Sequence, residues 1–478
     1  MGSSSLRRRT GRQGLRLWPV GTVLALAFTA ALLVAGAVFY TGWDLLGAQE
    51  VKREHRLDSS TFFDLVKLSF GVVAGAGALV ALVVAYRRQR IDEDGALREA
   101  TRLHTERFTT AVSQLGDASA AVRLGGVHAL AGLADDAPTR DLRQTSIDVL
   151  CAYLRLPYTA ESDLPTDDSD ARHAYLGLRE VRHTVIRVIR DHLRLDARHP
   201  HSWCGHDFDL THVTFDGGDF SGATFSGGVV DFSEAAFSAG VVDFRDATFS
   251  GGIVDFRRAA LCGGGVNFSN AAFSGGGVDF SGAVLSGGWL NFHVARFSGG
   301  AVDFSAADFS RGRVSFSNAI FSGGIVDFRG AAFSGSDVGF IEAAFSGSTV
   351  GFRNATFSNG RVDFRNSTFS GGVVNFYVAR FSGSAVDFSG AAFCGSTAGF
   401  SEATFSGGTV TLNEAIFSSG RINFQSAIFS NDTVDFQSAA FSGSTVDFSS
   451  ASGEAPRGLM LPSGPPPGGV SVPPAWYT

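Results

Sequence analysis

The chain has 478 residues, 46 acidic and 39 basic side chains, a formal net charge of −7, and an uneven share of Phe (44) and Gly (60) beside 12 Pro. This composition excludes a disordered chain, a small disulfide scaffold and a strongly basic nucleic-acid binder. Length alone would allow about three domains, but the Phe and Gly counts favour one long repetitive body. The cysteines, Cys151, Cys204, Cys262 and Cys394, are too sparse for a disulfide framework and have no CxxC spacing, so they read as reduced thiols.

A basic N-terminus, residues 1–16, carries Arg7, Arg8, Arg9, Arg12 and Arg16. The uncharged runs 17–40 and 68–86 are each long enough, at about 1.5 Å per residue, to cross a hydrocarbon core of roughly 30 Å, so two transmembrane helices are expected. Lys67 precedes the second run, and Arg87, Arg88 and Arg90 follow it. The positive-inside bias then puts both termini in the cytoplasm, residues 41–67 in a short extracytoplasmic loop, and the whole in the plasma membrane as a multi-pass protein with the lipid bilayer as a partner. A cleaved export signal ending near Ala35-Gly36-Ala37 is the alternative, although the apolar run is long for one. Small residues at Ala27, Ala31 and Ala35, and at Gly71 and Gly75, allow close helix approach, either between the two spans or in a homodimer.

Residues 87–200 read as a helical adaptor. Leu97, Thr101, His104, Phe108, Ala111 and Leu115 continue a helix with a weak heptad. Two further patterns, Val122 to Ala134 and Leu142 to Leu154, are separated by Asp135, Asp136 and Pro138, as in a HEAT-like helical hairpin. Thr159 to Asp170 is an acidic loop, and Val181, Val185, Val188, Ile189 and His192 mark another helix.

From Asp219 the chain repeats VDFSGAAFSGGT every twelve residues. Phe fills all positions but Leu412 in steps of twelve from Phe220 to Phe448, and a second Phe, five residues later, is replaced only by Leu261 and Leu285. No proline occurs between Pro200 and Pro456, as a ladder that uses every backbone N–H requires. At the start of the region Leu210, Phe215, Phe220 and Phe225 are five apart, and each later twelve divides into two fives and an inserted pair: Val230-Asp231-Phe232-Ser233-Glu234, Ala235-Ala236-Phe237-Ser238-Ala239, then Gly240-Val241.

These units resemble the pentapeptide-repeat family, whose pattern is A(D/N)LXX. The resemblance implies a mainly β fold, a right-handed quadrilateral parallel β-helix over residues 201–450 with the Phe pointing inward. The inserted pair departs from the family's strict five. Two twelve-residue repeats then make one coil, because a twelve-residue turn would overpack its interior. The N-terminal part resembles that of membrane-anchored actinobacterial members. The Asp or Asn before the first Phe of a repeat reads as a hydrogen-bonding corner. Residues 451–478, rich in Gly and Pro, are expected to be a disordered tail.

Chemistry is sparse. His199, His201, Cys204 and His206, with His212 nearby, have ligand types that suit zinc but lack CxxC or HxxxH spacing, and Trp203 among them reads as a cap on the open end of the β-helix. No nucleophile signature, paired-carboxylate motif or dinucleotide fingerprint is present, so no catalytic, cofactor or metal residues are assigned and no enzyme activity is expected. The expected role is a membrane-anchored scaffold that offers a rigid surface to an unknown protein partner, without direct nucleic-acid binding. The alternative is an acidic rod that mimics DNA and binds DNA gyrase or another DNA-binding protein, an activity that the resemblance implies for some soluble members. A regularly spaced face that binds a lattice such as ice or wall polymer would require the rod to lie outside the cell.

Overall fold

The computed structural model describes residues 59–159, 161, 164–165, 168–430, 433–459 and 466–477, with scattered positions from 22 to 44. The chain divides into two compact units, Met1–Leu103 and His104–Thr478. Helix α1, Ser59–Leu115, begins in the first unit and ends in the second. The expected first span, 17–40, and the loop 41–67 fall largely outside the described residues, as does most of the basic N-terminus.

Among the described residues no helix is long and apolar enough to cross a membrane. This overturns the expected second span and with it the multi-pass membrane placement, and it leaves the bilayer as partner and the cytoplasmic assignment of the repeats, which rested on that topology, without support. The run 68–86 lies within α1, which passes from it directly into the charged stretch Arg87 to Asp94.

In the second unit α2 (Ala120–Asp135) and α3 (Arg140–Arg155) pack as an antiparallel pair around Val127, Leu130, Ile147, Leu150 and Leu154, all fully buried. The Thr139 hydroxyl caps α3 by accepting from Leu142 N at 3.3 Å. Helix α4, Ser169–Leu193, is capped by Asp168, whose carboxylate accepts from Asp170 N and Ala171 N. Its apolar face, Val181, Val185 and Ile189, joins one continuous core that runs from Ala111 through the repeats to Trp476.

The repeats form a parallel β-solenoid of about 11 turns over residues 208–471. One coil illustrates all: strands Thr248–Ser250, Ile253–Asp255, Ala260–Leu261 and Gly265–Asn267 lie on successive faces, numbered first to fourth below, and Ala272–Ser274 returns to the first. Thr248 pairs with Ala272 and Ile253 with Gly277, so a coil is two twelve-residue repeats. The opening coil is shorter by one inserted pair, because Phe208 pairs with Val230 and Thr214 with Ala236. It has a single such pair, Gly228-Val229, which is why Leu210, Phe215, Phe220 and Phe225 appear five apart.

Stacking identical positions fills the interior. Phe225, Phe249 and Phe273 lie with centroids 5.1 and 4.9 Å apart and ring planes within 6°, and the column continues to Phe441. Columns through Phe232 and Phe244 meet edge to face, at 5.7 Å and 90°. Offset stacks within a column and edges between columns satisfy the ring quadrupoles together. Leu261 and Leu285 turn out to be neighbours on the third face, between Phe237 and Phe309, so the two departures from Phe make one local change in the core.

Corners repeat as strictly. Asp231 Oδ1 accepts from Ser233 N at 2.8 Å, and Asp279 and Asp303 do the same for Ser281 and Ser305, so the Asp before the Phe closes an Asx turn. The next residue is left-handed: Glu234, Asn270, Asn318 and Asn354 have φ of 58 to 60°.

Residues 451–478, expected to be disordered, instead close the solenoid where they are described. Strand Val470–Ser471 pairs with Val446 and Asp447, and Trp476 lies against Phe429 and Phe448 at 5.9 and 5.6 Å. Its indole donates to Gly453 O at 2.9 Å. Apolar side chains within a Gly/Pro-rich context, Leu459, Val470, Val472 and Trp476, supply the burial that composition concealed.

Val294 and Val378 occupy the left-handed corner at φ of 58 and 57°, where a β-branched side chain is strained. Replacing each by Asn, the residue that other coils use there, is expected to raise stability by about 1 kcal/mol per site, read as a higher urea midpoint of the solenoid's far-UV signal. An unchanged or lower midpoint for both would contradict the assigned strain.

Candidate functional site

Polar side chains are concentrated where α3 and α4 meet the first coil. Asp216 follows Phe215 at a position where later repeats carry Ser, as in Phe225-Ser226, and its side chain is 3% exposed. Tyr158 and Tyr175 donate their hydroxyls to Asp216 Oδ2 at 2.6 and 2.8 Å, Arg179 Nε donates to the same oxygen at 3.0 Å, and His183 Nε2 lies 3.1 Å from Oδ1. Arg182, itself buried, donates to Leu154 O and Thr214 O, and its guanidinium lies 4.2 Å from the centre of the Tyr158 ring.

Burial works to raise the Asp216 carboxyl, but the hydrogen bonds from His183, Tyr158 and Tyr175 overcome it and hold the group well below the usual carboxylate range. Tyr158 is pushed up, first by burial and then by its bond to Asp216. A carboxylate so stabilised is a poor base, and phenols so raised do not ionise near neutrality. The chemistry on offer is adhesion: a five-member charge-assisted network that fixes the segment after α3 and one face of α4 to coil one.

The histidine group separates onto different partners. His206 Nδ1 lies 3.0 Å from Gln144 Oε1, whose amide nitrogen donates to Asp207 O at 2.8 Å. Trp203 is fully buried, stacks on His192 at 4.1 Å and donates to Asp135 Oδ1 at 3.4 Å. His201 reaches the same carboxylate at 3.7 Å, Cys204 Sγ lies 3.3 Å from Thr224 O, and His212 pairs with Glu234 at 3.3 Å. Among the described residues no three His, Cys, Asp or Glu are grouped to hold a metal ion.

Outward positions on the second face make two columns. Val229, Ile253 and Ile325 are 46, 58 and 54% exposed, and two residues further along each strand stand Asp231, Asp255, Asp279, Asp303 and Asp327, one per coil, with Asp255 itself buried. Arg257 pairs with Asp255 and lies 3.8 Å from Asp279, and Arg329 lies 3.8 Å from Asp327. Sequence reasoning missed the Asp216 network, since its members come from three separated segments. The one signal was Asp in place of the Ser that follows Phe in the repeats.

The fold and its corners define a parallel β-solenoid built from five-residue units with inserted pairs. Residues 210–260 match the family model described as Pentapeptide repeats (9 copies). A solved structure of QnrB1, described as a plasmid-mediated fluoroquinolone resistance protein, is similar at 23% identity over 42% of this chain and 89% of that one, with a TM-score of 0.22. No curated protein matches the chain.

Removing the Asp216 carboxylate leaves Tyr158, Tyr175, Arg179 and His183 without their shared partner. Asp216→Ala is expected to cost about 3 kcal/mol, seen as early loss of the helical signal in urea, whereas unaltered unfolding would show that the network is not a fastening. Burial above all, then the nearby Arg140 and Arg143, push His206 down to about 4, with Asp207 opposing. The unfolded chain therefore binds a proton that the fold excludes between about pH 6.5 and 4, so stability falls as pH drops through that window, by up to about 3 kcal/mol. His206→Gln should flatten this slope, and a slope unchanged by the substitution would assign it to other groups.

Proposed function

We propose that the protein is a non-enzymatic pentapeptide-repeat scaffold whose rod presents a rigid, regularly spaced surface to a protein partner. The observation that carries this reading is the division of labour within a coil. Inward positions are filled by stacked Phe, Val and Ala, corner positions are committed to turns, and only the outward positions vary from coil to coil. Stacked repeats make extended surfaces of this kind without further elements.

The Asp column from Asp231 to Asp327 is the specific feature that favours a DNA-mimicking rod. Charge density argues against it. Residues 206–450 hold 22 acidic and 12 basic side chains, an excess of ten over a rod of about 50 Å at roughly 4.8 Å per coil. That is one net charge per about 5 Å, against one per about 1.7 Å of duplex DNA. On the second face the column ends where Gly351 and Asn375 replace Asp.

A photo-cross-linking residue placed at one exposed position per face of the full chain, Ile320, Ile253, Ile428 or Val241, tests the scaffold reading in cells. A discrete protein adduct confined to one or two faces is expected, and adducts absent or equal at all four would overturn it. Purified protein is expected to leave DNA gyrase supercoiling unchanged, and inhibition near one rod per enzyme would favour the DNA-mimic reading instead.

A further inference from the structure

The second face carries a groove that the fold does not require. Each turn between the first and second faces holds two successive glycines of different kinds. At the second of each pair the backbone leaves no room: a Cβ on Gly252, Gly276 or Gly300 would lie 2.3 Å from the carbonyl oxygen one coil below. At the first, Gly251, Gly275 and Gly299, a Cβ would meet nothing within 4 Å. Their φ of 68 to 72° does not demand glycine in this chain, since Arg311, Asn359 and Ser419 hold φ of 53 to 60° at equivalent corners of other coils.

The bare pairs line a groove of about 580 Å³ that runs along the rod from Asp207 past Gly228, Gly252, Gly276 and Gly300. Val229, Ile253 and Ala301 form its apolar wall. Beside that wall stands the Asp column, five carboxylates against Arg257 and Arg329, an excess of three negative charges. Further along the same row Ser348 and Ser396 replace the second glycine, so the all-glycine stretch belongs to the first coils.

We propose that this groove receives an amphipathic α-helix of the partner protein, with aliphatic side chains on the glycine floor and Lys or Arg along the edge that faces Asp279 and Asp303. The inference rests on the scaffold reading above. Spacing favours a helix. One turn rises about 5.4 Å, close to the roughly 4.8 Å between coils, whereas alternate side chains of an extended strand are nearly 7 Å apart and lose register within two coils. Four coils, about 19 Å, accommodate about 13 helical residues, and the acidic column supplies complementary charge.

The test uses the full chain and fluorescence anisotropy with a panel of labelled helical peptides. Each has aliphatic residues at i, i+4 and i+7, with flanks of Lys and Arg, of Glu, or of Lys and Arg around a central Pro. The basic helical peptides are expected to bind, and to lose about tenfold in affinity with Gly275→Asn plus Gly299→Asn, and again with Asp279→Asn plus Asp303→Asn. The Glu and Pro peptides are expected not to bind. An unchanged thermal midpoint for the Gly→Asn pair separates a blocked groove from a damaged fold. Equal binding of basic and acidic peptides, indifference to the groove-filling pair, or no binding by any basic peptide would overturn the proposal. Adducts confined to another face in the cross-linking experiment would also overturn it while leaving the scaffold reading intact.

Discussion

Every side chain in the solenoid must tolerate a copy of its position one coil above and one below. A parallel ladder with a pitch of two repeats imposes this, and it sorts the residue types before any function does. Phe satisfies it inside, because rings offset by 4.5 to 5.2 Å stack face to face within a column and present edges to the next. Proline fails it, since the ladder needs each N–H. Like charges satisfy it poorly, and where Asp does repeat, its carboxylate is occupied by a backbone N–H of its own corner. The interior is therefore nearly invariant along the rod, and individuality is left to the outward positions and the two ends.

That sorting explains what could be read in advance. Phe220 and its successors in steps of twelve, the second Phe five later and the missing prolines together specified a solenoid, and the volume of two Phe per twelve specified a coil of two repeats. The shorter opening coil was implicit in the five-residue spacing of Leu210 to Phe225, but its meaning depended on the pairing of Phe208 with Val230. The tail misled because disorder was inferred from Gly and Pro averaged over its whole length, whereas closure of the last coil depends on a few apolar side chains, Trp476 foremost.

The Asp216 network shows the opposite limit. Tyr158, Tyr175, Arg179 and His183 carry no shared pattern, and only folding brings them to one carboxylate. The histidines between His199 and His206 looked like a group because they are close in sequence, yet their partners, Asp135 and Gln144, lie on separate helices. Sequence proximity marked a junction, but not the partners that hold it. The membrane expectation had a similar weakness, for it rested on uncharged length, while the helix that contains 68–86 runs on without a break into a heavily charged stretch.

The half-coil has a consequence for how such a rod changes length. Both ends are closed by non-repeating segments, the helices at one and the Trp476 segment at the other, and each coil touches only its neighbours. Gain or loss of two twelve-residue units thus lengthens or shortens the body and leaves every column continuous. Gain or loss of a single unit also keeps the Phe columns filled, since both halves of a coil bury Phe, but it turns everything beyond that point by half a revolution about the axis. First-face residues then continue columns of the third, and second-face residues those of the fourth. A duplication too small to disturb the core is enough to exchange the surfaces that the rod shows to its surroundings.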